Sequence, residues 1–327
     1  MKKRILLSAL LLLGLSTGCG NEADMSNNTA SSTLSSPATS STNASTSQIT
    51  VEDFAGRTVV FDEVPKRIVA LSNGDVDIIY ALGGQLVGRP TSHGKATNQA
   101  LENVEQIGNT HEVDLEKITL LQPDVVLGNY PLNQKDAPAI EGIGSQMILT
   151  SANSVDDIKK QIRLFGALLQ KDDKAKELIG AIDAKLGQYQ SKNDAEKPRA
   201  LLVYGAPGTY MAALSNSLSG NILELAGGKN IAADYPALEQ YPQYAQLNTE
   251  RIVEANPQAI FIITHGNPEE VRDGFLKEMQ ENSAWSSLDA VKNNRVEVLP
   301  SDLFGTNPGT RVTEALDLMS KYLSEVK

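Results

Sequence analysis

The sequence predicts an α/β chain of two similar lobes joined by one long helix, and three observations carry that prediction. Short apolar strands alternate with helices on both sides of the middle of the chain. A long stretch of helical spacing separates the two halves. Asp114-Leu-Glu116-Lys-Ile118 in the first half returns as Asn248-Thr-Glu250-Arg-Ile252 in the second, and Pro123 and Pro257 each follow the glutamate by seven residues. A unit repeated at fixed spacing is one supersecondary element used twice. The 327 residues exceed what a single core usually serves and suit two domains of ordinary size.

The chain opens with Lys2, Lys3 and Arg4, an apolar run from Ile5 to Leu15, and then Ser16-Thr17-Gly18-Cys19. The run is too short to span a bilayer, which predicts a secretory signal over 1–18. The Gly18-Cys19 pair behind small residues resembles the lipobox of bacterial lipoproteins, in which cleavage precedes the cysteine and its sulfur carries a diacylglycerol. Ser16 departs from that pattern, which prefers Leu. Residues 20–48 hold nine Ser and five Thr. They bury too little apolar surface to offset ordering, so 19–48 reads as a lipidated cysteine with a flexible tether.

From Ile49 the pattern becomes that of a folded domain. Ile49–Phe54 and Arg57–Phe61 alternate apolar and polar residues around Gly56, as in a β-hairpin. Ile68–Leu71 reads as a buried strand, Asp75–Leu82 as a helix ending at Gly83-Gly84, and Leu86–Gly88 as another strand. A helix over about 114–121 precedes the strand opened by Pro123. Ser154-Val-Asp-Asp157 has the form of an N-cap with acids in the first turn, leading a helix to Leu169. A second helix runs from Asp172 to about Gln190 on the apolar spacing Ala175, Leu178, Ile179, Ile182, Leu186, with Gly180 and Gly187 weakening it. A strand follows Pro198, from Arg199 to Tyr204. Asn221–Gly228 then echoes Asp77–Gly84, and Pro257 opens Gln-Ala-Ile-Phe-Ile-Ile. The expected division is a lobe over 49–171, a connecting helix over 172–192 and a second lobe over 193–327.

Composition excludes several functions. With 29 Lys+Arg against 40 Asp+Glu the formal charge is −11, and removing 1–18 would make it −14, which argues against nucleic acid as a partner. One cysteine rules out an intrachain disulfide or a Cys-built cluster, and three histidines, His93, His111 and His265, leave little for a His-built metal site. No Gly-x-Ser-x-Gly elbow, His-Glu-x-x-His helix or Walker-type loop is present, so no enzyme chemistry is expected.

In open α/β sheets ligands bind beyond the carboxyl ends of the strands, so Tyr130 and His265 should face one shared cleft. Residues 49–327 here resemble a class III periplasmic-type substrate-binding protein of an ABC importer for iron chelates. The carriers are Thr50–Arg57, Pro65–Leu71, Ala81–Gly84, Leu86–Gly88, the Glu116 and Glu250 helices, and Leu225–Ile231. The resemblance implies two Rossmann-like lobes on one rigid helix, with no catalysis. The C-terminal lobe looks most like the heme-binding lipoproteins of Gram-positive heme-uptake systems, through Gly205–Tyr210, Thr264–Val271, Asp289–Val296 and Leu303–Gly305.

In those relatives the histidine of the His-Gly-x-Pro-Glu-Glu segment ligates heme iron, which implies that role for His265. They take a methionine as second ligand; Ile79 stands at that position, leaving five-coordinate iron or a replacement from Tyr80, His93, Tyr130 or Met211. A ferric siderophore, whose own oxygens saturate the iron, is the alternative cargo, and cobalamin a more distant one. Tyr210 and Arg89 complete the expected ligand contacts. Glu116 and Glu250 match the glutamates that dock one lobe each onto arginines of the permease dimer. The implied molecule is monomeric, extracytoplasmic and held to the membrane by lipid on Cys19.

Overall fold

The structure, a computed structural model, describes residues 48–91, 99–108, 111–189, 196–206, 209–264, 267–281 and 283–326. Its first element is the hairpin of β1 (Ile49–Glu52) and β2 (Thr58–Phe61), with Ile49 opposite Phe61. One face of the pair, Ile49, Val51, Val59 and Phe61, is buried, as the alternation requires. The turn is fixed by buried Asp53, whose carboxylate accepts from the backbone N–H of Ala55 and Arg57 (both 2.9 Å), the Arg57 Nε (2.9 Å) and the Leu149 N–H (3.2 Å).

The first lobe continues with β3 (Ile68–Ala70), α1 (Asn73–Ala81), β4 (Gly88–Arg89), β5 (Glu105–Gln106), α2 (Leu115–Leu121), β6 (Val125–Asn129), α3 (Ala137–Gly142) and β7 (Gln146–Thr150). Its five strands are all parallel, in the order β5-β4-β3-β6-β7. That is the doubly wound arrangement, and its strand order reverses between β3 and β6. Two helices lead out of the lobe: α4 (Val155–Leu168) and α5 (Asp172–Leu186). They approach closely enough that a Cβ on Gly166 would lie 2.6 Å from that of Ala175. Lys159 on α4 reaches Asp183 on α5 at 2.9 Å. The helix α5 stops at Leu186, four residues short of the sequence expectation, with Gly187 at its C-cap.

The second lobe holds β8 (Arg199–Ala206), β9 (Thr209–Ala213), α6 (Leu218–Leu225), β10 (Lys229–Asn230), β11 (Tyr244–Gln246), α7 (Thr249–Ala255), β12 (Ala259–Ile263), α8 (Pro268–Glu281), α9 (Ser283–Ser286), α10 (Asp289–Lys292), β13 (Val296–Val298), α11 (Ser301–Phe304) and α12 (Val312–Ser324). Its sheet runs β11-β9-β8-β12-β13, with β10 also pairing β8, and β9 is antiparallel to both neighbours. One core cluster runs from the hairpin and α1 through α4 and α5 to α6 and α12, so it underlies both lobes; a second lies between the β8–β12 sheet and α8.

The sequence repeat is a structural repeat. Asp114 and Asn248 are the N-caps of α2 and α7, each accepting at 3.0 Å from the N–H three residues on. Ile118 and Ile252 are the buried anchors, and each helix ends on a left-handed residue, Gln122 (φ 43) and Asn256 (φ 42). Arg67, just before β3, donates to the α2 carbonyls Leu121 O and Gln122 O (Nε at 3.0 and 3.1 Å), and Arg199, opening β8, donates to Ala255 O and Asn256 O (2.9 and 3.3 Å). These guanidinium contacts satisfy carbonyls that a helix end leaves unpaired. The second echo is equally real: α1 and α6 start on Ser72 and Ser217 and end before left-handed Gly83 and Gly227.

Candidate functional site

Each lobe has its crevice where the strand order reverses, beyond β3 and β6 in the first and beyond β8 and β12 in the second. Residues from both lobes meet in a pocket of about 170 Å³. Ala152 and Asn153, after β7, form one side; Ser217, Ser219, Gln243, Tyr244, Phe304, Thr306 and Asn307 form much of the other. That volume is below the roughly 300–1,000 Å³ that encloses a drug-sized ligand, so this is one polar recess of a cleft rather than a complete site.

The residues singled out from the sequence fall into three groups. Tyr130 follows β6 at the first switch point, 37% exposed, its N–H donating to Thr150 O at 2.6 Å. Met211 lies opposite Tyr204 in the β8–β9 register, which puts the two side chains on one face. Tyr210, one residue earlier on β9, turns to the other face, where its ring meets Phe275 edge-on at 4.9 Å and its hydroxyl donates to Val271 O at 3.4 Å. Arg89 is buried and donates to Leu101 O and Pro90 O, so its charge serves the fold of the first lobe. His265, His93 and Cys19 lie outside the described residues. The neighbours of the 265–266 pair are buried Thr264, beyond β12, and Asn267, whose side chain accepts from the N–H of Glu269 at 3.0 Å in the first turn of α8.

Ile79, where the sequence resemblance implies a methionine ligand, is fully buried on the core-facing side of α1. The side of α1 that meets the second lobe is instead that of Gly74 and Asp77, three residues apart and therefore stacked on one face.

The polar ties between the lobes have no local signature in the sequence. Asp77 Oδ2 accepts from Thr310 N (2.6 Å) and Thr310 Oγ1 (2.7 Å), and Gly309 beside it has φ +63, with no space for a Cβ against Asp77. Asn307 donates to Gln161 Oε1 at 2.8 Å, and Asn221 on α6 accepts from the Val155 N–H that opens α4 at 2.9 Å. Gln161 in turn donates to Asp75, which is fully buried and also accepts from Ser72 Oγ (2.7 Å) and Thr150 Oγ1 (3.3 Å). Burial pushes the Asp75 carboxyl up to about 6, although Ser72, Thr150 and Gln161 favour its ionised form. Asp77 is raised by burial as well, against the Thr310 hydrogen bonds and the charge of Arg311.

A pair of tyrosines also stands at this end of the second sheet. Tyr204, at the carboxyl end of β8, stacks on Tyr244 with centroids 5.0 Å apart and planes at 36°. Burial raises both phenols, Tyr244 to about 12, and Tyr241 adds to the shift of Tyr204. The only available signal was a bulky aromatic at the end of a predicted strand.

Glu116 and Glu250 are both exposed, in the first turns of α2 and α7. Their neighbouring cations are engaged elsewhere: Lys117 with Glu105 at 3.3 Å, and Arg251 with Asp234 at 3.2 Å and over the Tyr235 ring at 4.7 Å. Among the described residues neither glutamate forms an ion pair, and no helix is long and apolar enough to cross a membrane.

A family described as "Periplasmic binding protein" matches residues 68–303. Over 233 residues the chain is 29% identical to the high-affinity heme uptake system protein IsdE of Staphylococcus aureus (strain Newman), covering 71% of this chain and 78% of that one. Among solved structures, an ABC transporter substrate-binding protein from Listeria monocytogenes EGD-e aligns at TM-score 0.69 and 32% identity, over 80% of this chain and 99% of its own. Staphylococcus aureus IsdE complexed with heme aligns at 0.68 and 27%, over 79% and 99%.

Proposed function

Because the chain belongs to the periplasmic binding protein family, we propose that it is the extracytoplasmic solute-binding receptor of an ABC importer, capturing heme and delivering it to a membrane permease for iron acquisition. The observation that carries this reading is kinship with a heme-loaded receptor along nearly the whole of that receptor's length. No bond is made or broken; the task is to hold a cargo and release it. Heme iron calls for a nitrogen, sulfur or oxygen donor, and His265, in its His-Gly-x-Pro-Glu-Glu segment, is the proposed axial ligand. Tyr130 and Met211 contact the cargo with His93, while Tyr210 and Arg89 brace the walls from behind. The ties Asp77–Thr310 and Gln161–Asn307 hold the lobes near one separation, so capture involves small adjustments rather than a wide hinge.

A ferric siderophore is the second reading, favoured by the polar lining of the recess at Asn153, Gln243, Thr306 and Asn307. Visible spectroscopy separates the two. Protein titrated with hemin should develop a Soret band that His265→Ala shifts or abolishes. A wild type that leaves hemin unchanged, yet whose fluorescence is quenched by a ferric siderophore, would overturn the heme reading.

The same reading extends to the whole chain. Residues 1–18 are the signal, lipid on Cys19 anchors a monomer to the cell membrane, and 19–48 is the tether. The lobes over 49–171 and 193–327, joined through 172–192, each present one glutamate, Glu116 or Glu250, to a two-subunit permease. One charged contact per lobe sets orientation and association rate.

A further inference from the structure

The chain has nine tyrosines, and three of them, Tyr204, Tyr241 and Tyr244, gather at one end of the second sheet. Tyr204 occupies the carboxyl end of β8, beside the β8–β12 switch point where a ligand's contacts are expected. Tyr244 stacks on it and also lines the recess shared by both lobes, with Phe304 across the same pocket. Tyr241, 54% exposed, is tied to the pair through its carbonyl, which accepts from the Tyr244 N–H at 2.9 Å, and its phenol also disfavours ionisation of Tyr204. Core packing alone would be served by phenylalanine. A tyrosine with one apolar ring face and one wet edge suits a surface that meets a partly polar ligand.

Resting on the chelate-receptor reading above, we propose that Tyr204, Tyr241 and Tyr244 form the ligand-facing wall of the second lobe and recognise a flat, conjugated chelate by stacking. Burial and mutual proximity both oppose the charge of the Tyr204 and Tyr244 phenols, so this pair presents neutral rings to the cleft. Selection by this wall favours a planar tetrapyrrole over a globular, oxygen-wrapped chelate.

The test uses the full chain with hemin and a ferric trihydroxamate as probes. Tyr244→Phe should keep hemin affinity within about twofold, because the ring remains, whereas Tyr244→Ala and Tyr241→Ala should weaken it by roughly three- to tenfold. Tyr241→Ala removes an exposed side chain, so an unchanged melting temperature keeps the test decisive if Tyr244→Ala unfolds. Alanine variants that bind hemin as tightly as wild type would overturn the wall and leave the receptor reading standing. A wild type that binds neither probe would overturn both, and one that takes only the trihydroxamate would overturn both the heme reading and the planar wall.

Discussion

Asp75→Asn should make the protein more stable at neutral pH, and the size of the gain follows from one carboxyl group. Asp75 is completely buried at the first turn of α1, and its pKa rises from 3.8 to about 6. A native pKa above the unfolded one stabilises the fold when the group is protonated. That contribution is complete below about pH 4 and is lost as the pH rises through about 6. At about 1.4 kcal/mol per unit, holding the charged form inside at pH 7.5 costs about 3 kcal/mol. Asparagine keeps the shape, and its Oδ1 still accepts from Gln161, but Ser72 must turn from donor to acceptor at a cost of about 1 kcal/mol. The net gain at pH 7.5 is about 2 kcal/mol, or roughly 4–8 °C in melting temperature. Thermal melts of both proteins between pH 4 and 7.5 supply the difference, in which groups common to the two cancel. The advantage of Asn must grow across pH 4–6. A flat difference, or a variant markedly weaker at pH 7.5, would refute the reasoning, since the carboxylate would then be a net stabiliser.

Three further outcomes are expected. Gly166→Val should cost about 1–3 kcal/mol in urea denaturation, because its Cβ meets that of Ala175 at 2.6 Å and forces α4 from α5; an unchanged midpoint would contradict this seam. Arg199→Ala should cost about 1–3 kcal/mol by releasing the carbonyls of Ala255 and Asn256, and the more exposed Arg67→Ala should cost less. Glu116→Ala and Glu250→Ala should each reduce heme-supported growth, with the double variant abolishing it, while melting and hemin affinity stay as in wild type.

Features set by neighbours in the chain were legible in the sequence, and features set by distant partners were not. The hairpin at Ile49–Phe61 follows from alternation, and the twin helices follow from an N-cap, one buried isoleucine and a following proline. By contrast β10 has two residues and β11 three, too few for any period to register. In β8 both faces are buried up to Val203, so the run is uniformly apolar and does not reveal which way Tyr204 points; the antiparallel pairing with β9 decides that. Asp77 and Thr310 are 233 residues apart, and nothing local announces their contact. Ile79 stands where the resemblance implies a ligand, yet the rotation of α1 about its axis puts it in the core and Gly74 against Asn307.

Arg67 and Arg199 plug the same end of both sheets, opposite the end where Tyr130 and Tyr204 stand. On the proposed reading, scaffold and selectivity fall to separate residues at opposite poles of each strand. Substitutions at the carboxyl pole can alter what the molecule carries without weakening the amino pole that keeps it folded.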